Sequence, residues 1–219
     1  MFDIYQFVSG PLAWFAFIVF IGGCLYRLVS LLVLVHRKEP FIYSYTSWKY
    51  SLRSILRWST PFATENMRRH PGMTIVTFAF HICLLITPLF LLAHIILIEE
   101  AWNLSWWSLP DGLADAMTLI VITGCIFFLV RRLTYPEVQY VTSASDFVLL
   151  AIIAAPFVTG FLAYYQWLGY QTFVILHILS AEIMLVAIPF TRLSHMLFAV
   201  FTRAYMGSEF GGVRFAKDW

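Results

Sequence analysis

Residues 70–100 read HPGMTIVTFAFHICLLITPLFLLAHIILIEE. From Gly72 to Ile98 the run carries no Asp, Glu, Lys or Arg, yet it holds two histidines, His81 and His94. A hydrocarbon core takes roughly 20 apolar residues of helix to cross, so this stretch spans it. The apolar residues do not alternate with polar ones, which excludes a barrel strand. Pro71 and Gly72 open the helix, where a proline in the first turn costs no hydrogen bond.

Working outward, four more runs qualify, giving spans over about 12–35, 72–98, 113–130, 145–165 and 170–198. The expected fold is an all-α membrane protein, a bundle of five transmembrane helices forming one membrane domain over 1–219. Composition agrees: 61% of the 219 residues are hydrophobic and 12% are charged, against about 25% charged in a soluble domain. Pro88, Pro156 and Pro189 lie inside spans and are expected to kink them. Cys24, Cys83 and Cys125 lie apart in apolar runs with no CxxC or CxxCH. That argues against covalent haem, an iron–sulfur cluster or zinc, and for small packing residues. The start of the chain shows no basic, cleavable signal pattern, and no nucleic-acid partner is expected.

Charge sets the expected orientation. All fourteen Lys and Arg residues fall on one side of the five-span arrangement. Arg27, Arg37, Lys38, Lys49, Arg53, Arg57, Arg68 and Arg69 lie late in the first span or in the loop after it. Arg131 and Arg132 follow the third span, and Arg192, Arg203, Arg214 and Lys217 close the chain. The opposite loops hold Glu99, Glu100, Asp111 and Asp115 and no basic residue. Positive charge stays inside, which predicts an N-terminus outside and a cytoplasmic C-terminus. The loop 37–70 contains a basic stripe, Lys49, Arg53 and Arg57, beside Trp48, Leu52, Ile55 and Leu56. That pattern predicts an amphipathic helix, lying on anionic lipid or docking a cytoplasmic subunit.

Ionisable groups inside a span are costly and mark function. His81 and His94 lie on the second span, His177 and His195 on the fifth. Those two helices run antiparallel, so His94 and His177 share the outer level while His81 and His195 share the inner one. Two helices that each offer an outer and an inner imidazole suit two bis-histidine haems stacked across the bilayer. On an ideal helix His177 and His195 share a face about 27 Å apart. His81 and His94 are about 20 Å apart but differ by roughly 140° in azimuth. A kink or bulge at Thr87-Pro88 would re-aim one ring. His70 is nearly in phase with His81 and is its rival, but it sits beside Arg68, Arg69 and Pro71 at the aqueous boundary. His36, beside Arg37, reads as a solvated interfacial residue.

The segments FDIYQFVSG (2–10), RRHPGM with FAFHI (68–73, 78–82), VRRLTYPEV with TSASDFVLL (130–138, 142–150) and FVILHILSAEIMLVAIPFTRLSH (173–195) resemble the gamma, or cytochrome b, subunit of respiratory nitrate reductase. The resemblance implies two b haems, the outer held by His94 and His177, the inner by His81 and His195. The His81–His94 spacing is three residues longer than in that enzyme. Its quinol-site lysine has no counterpart in the outer loop IEEAWNLSWWSLPDGLADAM (98–117).

FVSGPLAWFAFIVF (7–20) and the basic loop look more like subunits from sulfate-reducing bacteria, of the high-molecular-weight cytochrome c complex type. Likeness to these implies a periplasmic multihaem cytochrome c, a heterodisulfide-reductase-like iron–sulfur subunit on the cytoplasmic side, and other membrane subunits as partners. Menaquinol is the other electron donor the family implies. Arg131, Arg132 and Arg192 are candidate partners of haem propionates, or anchors that snorkel to lipid headgroups. The acidic outer loops would attract a basic cytochrome, or are left acidic by the charge rule alone. Bond-making catalysis is not expected of the chain itself. The rival reading is a haem-free anchor or proton-relay subunit, in which the histidines move protons or bind a metal.

Overall fold

The computed structural model describes residues 2–167 and 169–219. Twelve α-helices are formed among them: α1 (Phe2–Phe7), α2 (Ala13–Lys38), α3 (Ile42–Tyr45), α4 (Trp48–Ser59), α5 (Glu65–Arg69) and α6 (Pro71–Phe90) come first. They are followed by α7 (Leu92–Trp102), α8 (Asp111–Thr134), α9 (Pro136–Tyr140), α10 (Ala144–Tyr164), α11 (Tyr170–Phe190) and α12 (His195–Ser208). No strand is formed among the described residues. Five helices are long and apolar enough to cross a membrane: Phe2–Lys38, Pro71–Phe90, Asp111–Thr134, Ala144–Tyr164 and Tyr170–Phe190. The all-helical, five-span architecture read from hydropathy is therefore present.

Three span boundaries differ from the expected ones. The first span begins earlier, because α1 runs into α2 through a wide π-turn, Val8–Leu12, that absorbs Pro11 and its missing N–H. The second does not run to residue 98. It stops at Phe90, Leu91 is extended (φ −75°, ψ 128°), and α7 starts anew. The fifth stops at Phe190, Thr191 is extended, and a 3-10 turn, Arg192–Ser194, leads into α12. Each break follows a proline by two or three residues, Pro88 and Pro189. A proline withholds one N–H from the ladder and crowds the preceding turn. The placing of His177 and His195 on one continuous helix is thereby corrected: they stand on α11 and α12.

The chain divides into two compact units, Met1–Ser9 with Ile75–Ala181, and Gly10–Thr74 with Glu182–Trp219. In the first, Phe80, Cys83, Leu109, Ala114, Met117, Val121, Cys125 and Phe157 form the core. Gly124 lets α8 lie close to α6, since a Cβ there would stand 2.7 Å from Phe80 Cδ2. Arg132 at the end of α8 pairs with the buried Asp146 at 3.3 Å and donates to Thr142 Oγ1. Asp146 also closes a capping box with Ser143, so one carboxylate starts α10 and fastens it to α8.

In the second unit α4 packs on α12 through small residues. Ser51 Oγ donates to the Ala204 carbonyl at 3.0 Å and lies 2.9 Å from Ser208 Oγ. Gly207 faces Tyr50 and Ser54 with no room for a side chain. The predicted amphipathic helix exists, but its inward face is Ser51 and Ser54, while Trp48, Leu52 and Leu56 stay exposed. Arg53 and Arg57 stack over Trp219, at 4.7 and 5.3 Å. All three cysteines are free and buried, as expected of packing residues.

Candidate functional site

His94 is built by the break in the second span. Where a helix stops, its last carbonyls lose their donors. Leu91 N–H still reaches Thr87, but the carbonyls of Pro88, Leu89 and Phe90 need other partners. His94 Nδ1 donates to Pro88 O at 2.8 Å, Trp106 Nε1 to Leu89 O at 2.8 Å, and Leu109 N to Phe90 O at 2.8 Å. The loop 103–110 therefore folds back to close the helix end, and the imidazole is one of the three stoppers.

His177 is fixed in a comparable way. Its Nδ1 donates to Pro156 O on α10 at 2.8 Å. Gly160, one turn further along α10, lies under the ring; a Cβ there would be 2.9 Å from both Cε1 and Nδ1. Ser180 Oγ donates to the His177 carbonyl at 2.9 Å and lies 3.3 Å from Thr159 Oγ1, a second tie between α10 and α11. The rings of His94 and His177 are brought together, with centroids 5.9 Å apart and planes 17° from parallel.

His81 Nδ1 donates to Thr77 O at 2.7 Å, and His195 Nδ1 to Arg192 O at 2.9 Å. A carbonyl only accepts, so in all four histidines the Nδ1 carries the proton and Nε2 is the basic nitrogen. A metal-ligating histidine wants that tautomer, with the second nitrogen held by a backbone carbonyl. His81 belongs to the first compact unit and His195 to the second. His70 and His36 are exposed; His70 stands just before the second span and His36 at the end of the first. Arg132 is engaged with Asp146, Arg131 is half-buried and Arg192 is exposed in the 3-10 turn.

The donor set fits an iron porphyrin. A metal–imidazole bond is roughly 2 Å long. One ion held between two imidazoles would set their centroids roughly 6 Å apart, and those of His94 and His177 are 5.9 Å apart. Among the described residues no group of three or more His, Cys, Asp or Glu could hold a metal ion. Two imidazoles supply only two positions, and a macrocycle would be one ligand able to supply the rest.

Sequence reasoning missed Pro156 and Gly160, which seat the His177 ring, and Trp106, which caps the helix end beside His94. One signal was legible: a proline stands six residues before His94 (Pro88) and six before His195 (Pro189).

On the acidic side, Tyr165 donates to Asp115 Oδ2 at 2.6 Å. That bond holds the phenol above its ordinary range, so the hydroxyl stays protonated.

Five apolar spans with imidazoles inside them define a multi-pass helical membrane protein. The chain belongs to the nitrate reductase gamma subunit family, whose model matches residues 6–173. His81 and His94 fall within the match, while His177 and His195 lie past its end. A protein of the sulfate reducer Nitratidesulfovibrio vulgaris is 36% identical over 211 residues, covering 94% of this chain and 93% of its own length.

Proposed function

We propose that the chain is the cytochrome b subunit of a respiratory redox complex in a bacterial inner membrane, with its N-terminus in the periplasm. His94 and His177 would hold one b haem and His81 and His195 a second, and these groups would supply one-electron chemistry at two levels of the bilayer. The observation that carries the reading is the His94–His177 pair: near-parallel rings 5.9 Å apart, each with Nδ1–H spent on a proline carbonyl. The chain supplies two basic Nε2 atoms, fixes both ring orientations through backbone carbonyls, and surrounds them with apolar spans. Family membership and a full-length relative in a sulfate reducer support a place in a multi-subunit membrane complex.

The partners proposed are a periplasmic multihaem cytochrome c on the side of Glu99, Glu100, Asp111 and Asp115, and an iron–sulfur, heterodisulfide-reductase-like subunit on the basic side. Opposite charge favours the encounter with a basic cytochrome. Menaquinol is the weaker candidate donor, because loop 98–117 offers no lysine to meet a quinol oxygen. Arg131 and Arg192 are the arginines proposed for inner-haem propionates; Arg132 would serve only by sharing its guanidinium with Asp146.

Purified protein reduced with dithionite should show b-type absorbance, and a pyridine haemochrome assay should count two haems per chain. His94→Ala or His177→Ala should remove one spectral component, His81→Ala or His195→Ala the other, and His70→Ala neither. Absence of any b-type absorbance would end this reading and favour a haem-free anchor.

A further inference from the structure

Glu182 has no part in the proposed haem sites, yet it is placed at high cost. It stands in the middle of α11, five residues after His177, and is 7% exposed. Both carboxyl oxygens are buried with no hydrogen-bond partner. Of the twelve acidic residues, the others lie outside the spans or near a span's first turn. The apolar stretches of the helices tied to α11 carry no cation. On α2, which meets α11 where Gly23 abuts Pro189 and Phe190, no titratable side chain lies between Ala13 and Gly23. Further along, Arg27 lies with its guanidinium 5.2 Å over the Phe198 ring. α10, tied to α11 through Thr159 and Ser180, has none between Phe147 and Ala163. α7 presents His94 to His177. On the chain's own continuation the nearest charged or titratable groups are His177 before it and Arg192 and His195 after the break.

A carboxylate stripped of water and partners is far less favourable than a neutral carboxylic acid. Glu182 is therefore built to carry a proton. A proton held only by the absence of nearby positive charge is released when positive charge is fixed nearby, and the linkage runs equally in both directions.

We propose that Glu182 is a proton-binding site inside the membrane, holding its proton while the redox group carried by the chain is reduced and releasing it when an electron leaves. This rests on the electron-carrying reading above. In the step, one electron passes to an external one-electron acceptor, a partner redox protein or ferricyanide in vitro. One proton leaves the Glu182 carboxyl O–H for water, so the local charge is unchanged.

The test is infrared difference spectroscopy of the purified, haem-loaded protein, ferricyanide-oxidised minus dithionite-reduced. The native protein should lose a protonated-carboxyl C=O band on oxidation, and the band should shift in D2O. It should be absent from E182Q, whose midpoint potential should also depend less on pH than the native one. If E182Q does not assemble, native protein labelled with ¹³C-glutamate decides, since the band must then move. A haem-loaded protein with no such band, or a band that persists in E182Q, overturns the proton site alone. A protein without b-type absorbance overturns the electron-carrying reading and the coupling with it.

Discussion

His94 donates its Nδ1–H to the carbonyl of Pro88, 2.8 Å away, across a break in the helix that would otherwise carry both. The bond exists because Leu91 is extended, so the Leu92 amide cannot take that carbonyl. Ring orientation and helix break are thus one feature. Pro88→Ala restores an N–H to the ladder and favours a continuous helix by up to about 3 kcal/mol. The expected outcome is slower hydrogen exchange at Leu92, as its amide finds residue 88, and loss or weakening of the spectral component assigned to His94 and His177. The component assigned to His81 and His195 should stay. Slower exchange at Leu92 with an unaltered spectrum would separate the break from the ring.

Gly160 makes the corresponding space for His177. A methyl group there would stand 2.9 Å from the imidazole, tighter than real carbon contacts allow. Gly160→Ala should push the ring off Pro156 and destabilise the protein by about 1–3 kcal/mol. Thermal unfolding in detergent measures the loss. The haem count should fall below the native value in the same sample.

The spans were legible because hydropathy and length alone decide them. The breaks were not. Leu91 and Thr191 are ordinary residues, and prolines 88 and 189 predict a disturbance without saying whether the helix kinks or stops. That depends on distant donors: Trp106 and Leu109 come back from the next loop to cap the carbonyls freed at residues 89 and 90. The Thr191 break has a local cap, its Oγ1 donating to Ala187 O at 2.7 Å and accepting from Leu193 N. The inward face of α4 was hidden for another reason. A basic and aromatic pattern drew the eye, while the contact is made by Ser47, Ser51 and Ser54 against Ala204, Gly207 and Ser208. Small residues three or four apart on two helices were the readable sign of that close approach. The histidines were legible as a set because each is an exception within an apolar run.

Orientation can be measured directly, because the native cysteines are buried and should give little background. With Glu100→Cys or Asp111→Cys, a membrane-impermeant maleimide should label intact spheroplasts. With Arg69→Cys, labelling should require permeabilisation. Both positions follow from the one-sided distribution of Lys and Arg. The reverse pattern would invert the chain and move the proposed cytochrome and iron–sulfur partners to opposite faces.

The chain's last turn should respond to acid. Glu209 bonds Arg214, whose Nε lies 3.0 Å from Oε1, and the Arg214 amide donates to the Glu209 carbonyl at 3.1 Å. The guanidinium, and then the Tyr205 hydroxyl, hold the Glu209 carboxyl below the usual carboxylate range. A depressed folded value means the stabilisation is complete above the ordinary carboxylate value and is lost as pH falls through the lowered one. Hydrogen exchange over residues 209–214 should therefore be slow at neutral pH and quicken in acid. In Glu209→Gln it should be fast throughout, with little dependence on pH beyond the intrinsic exchange rate. No alkaline transition from Tyr205 should intrude, because hydrogen bonds to Tyr45 and Glu209 push its phenol up to about 12. Arg214 is solvent-exposed and Glu209 half-buried, so high salt should weaken the effect by screening. Insensitivity to both salt and acid would show that the turn is held by its backbone bonds alone.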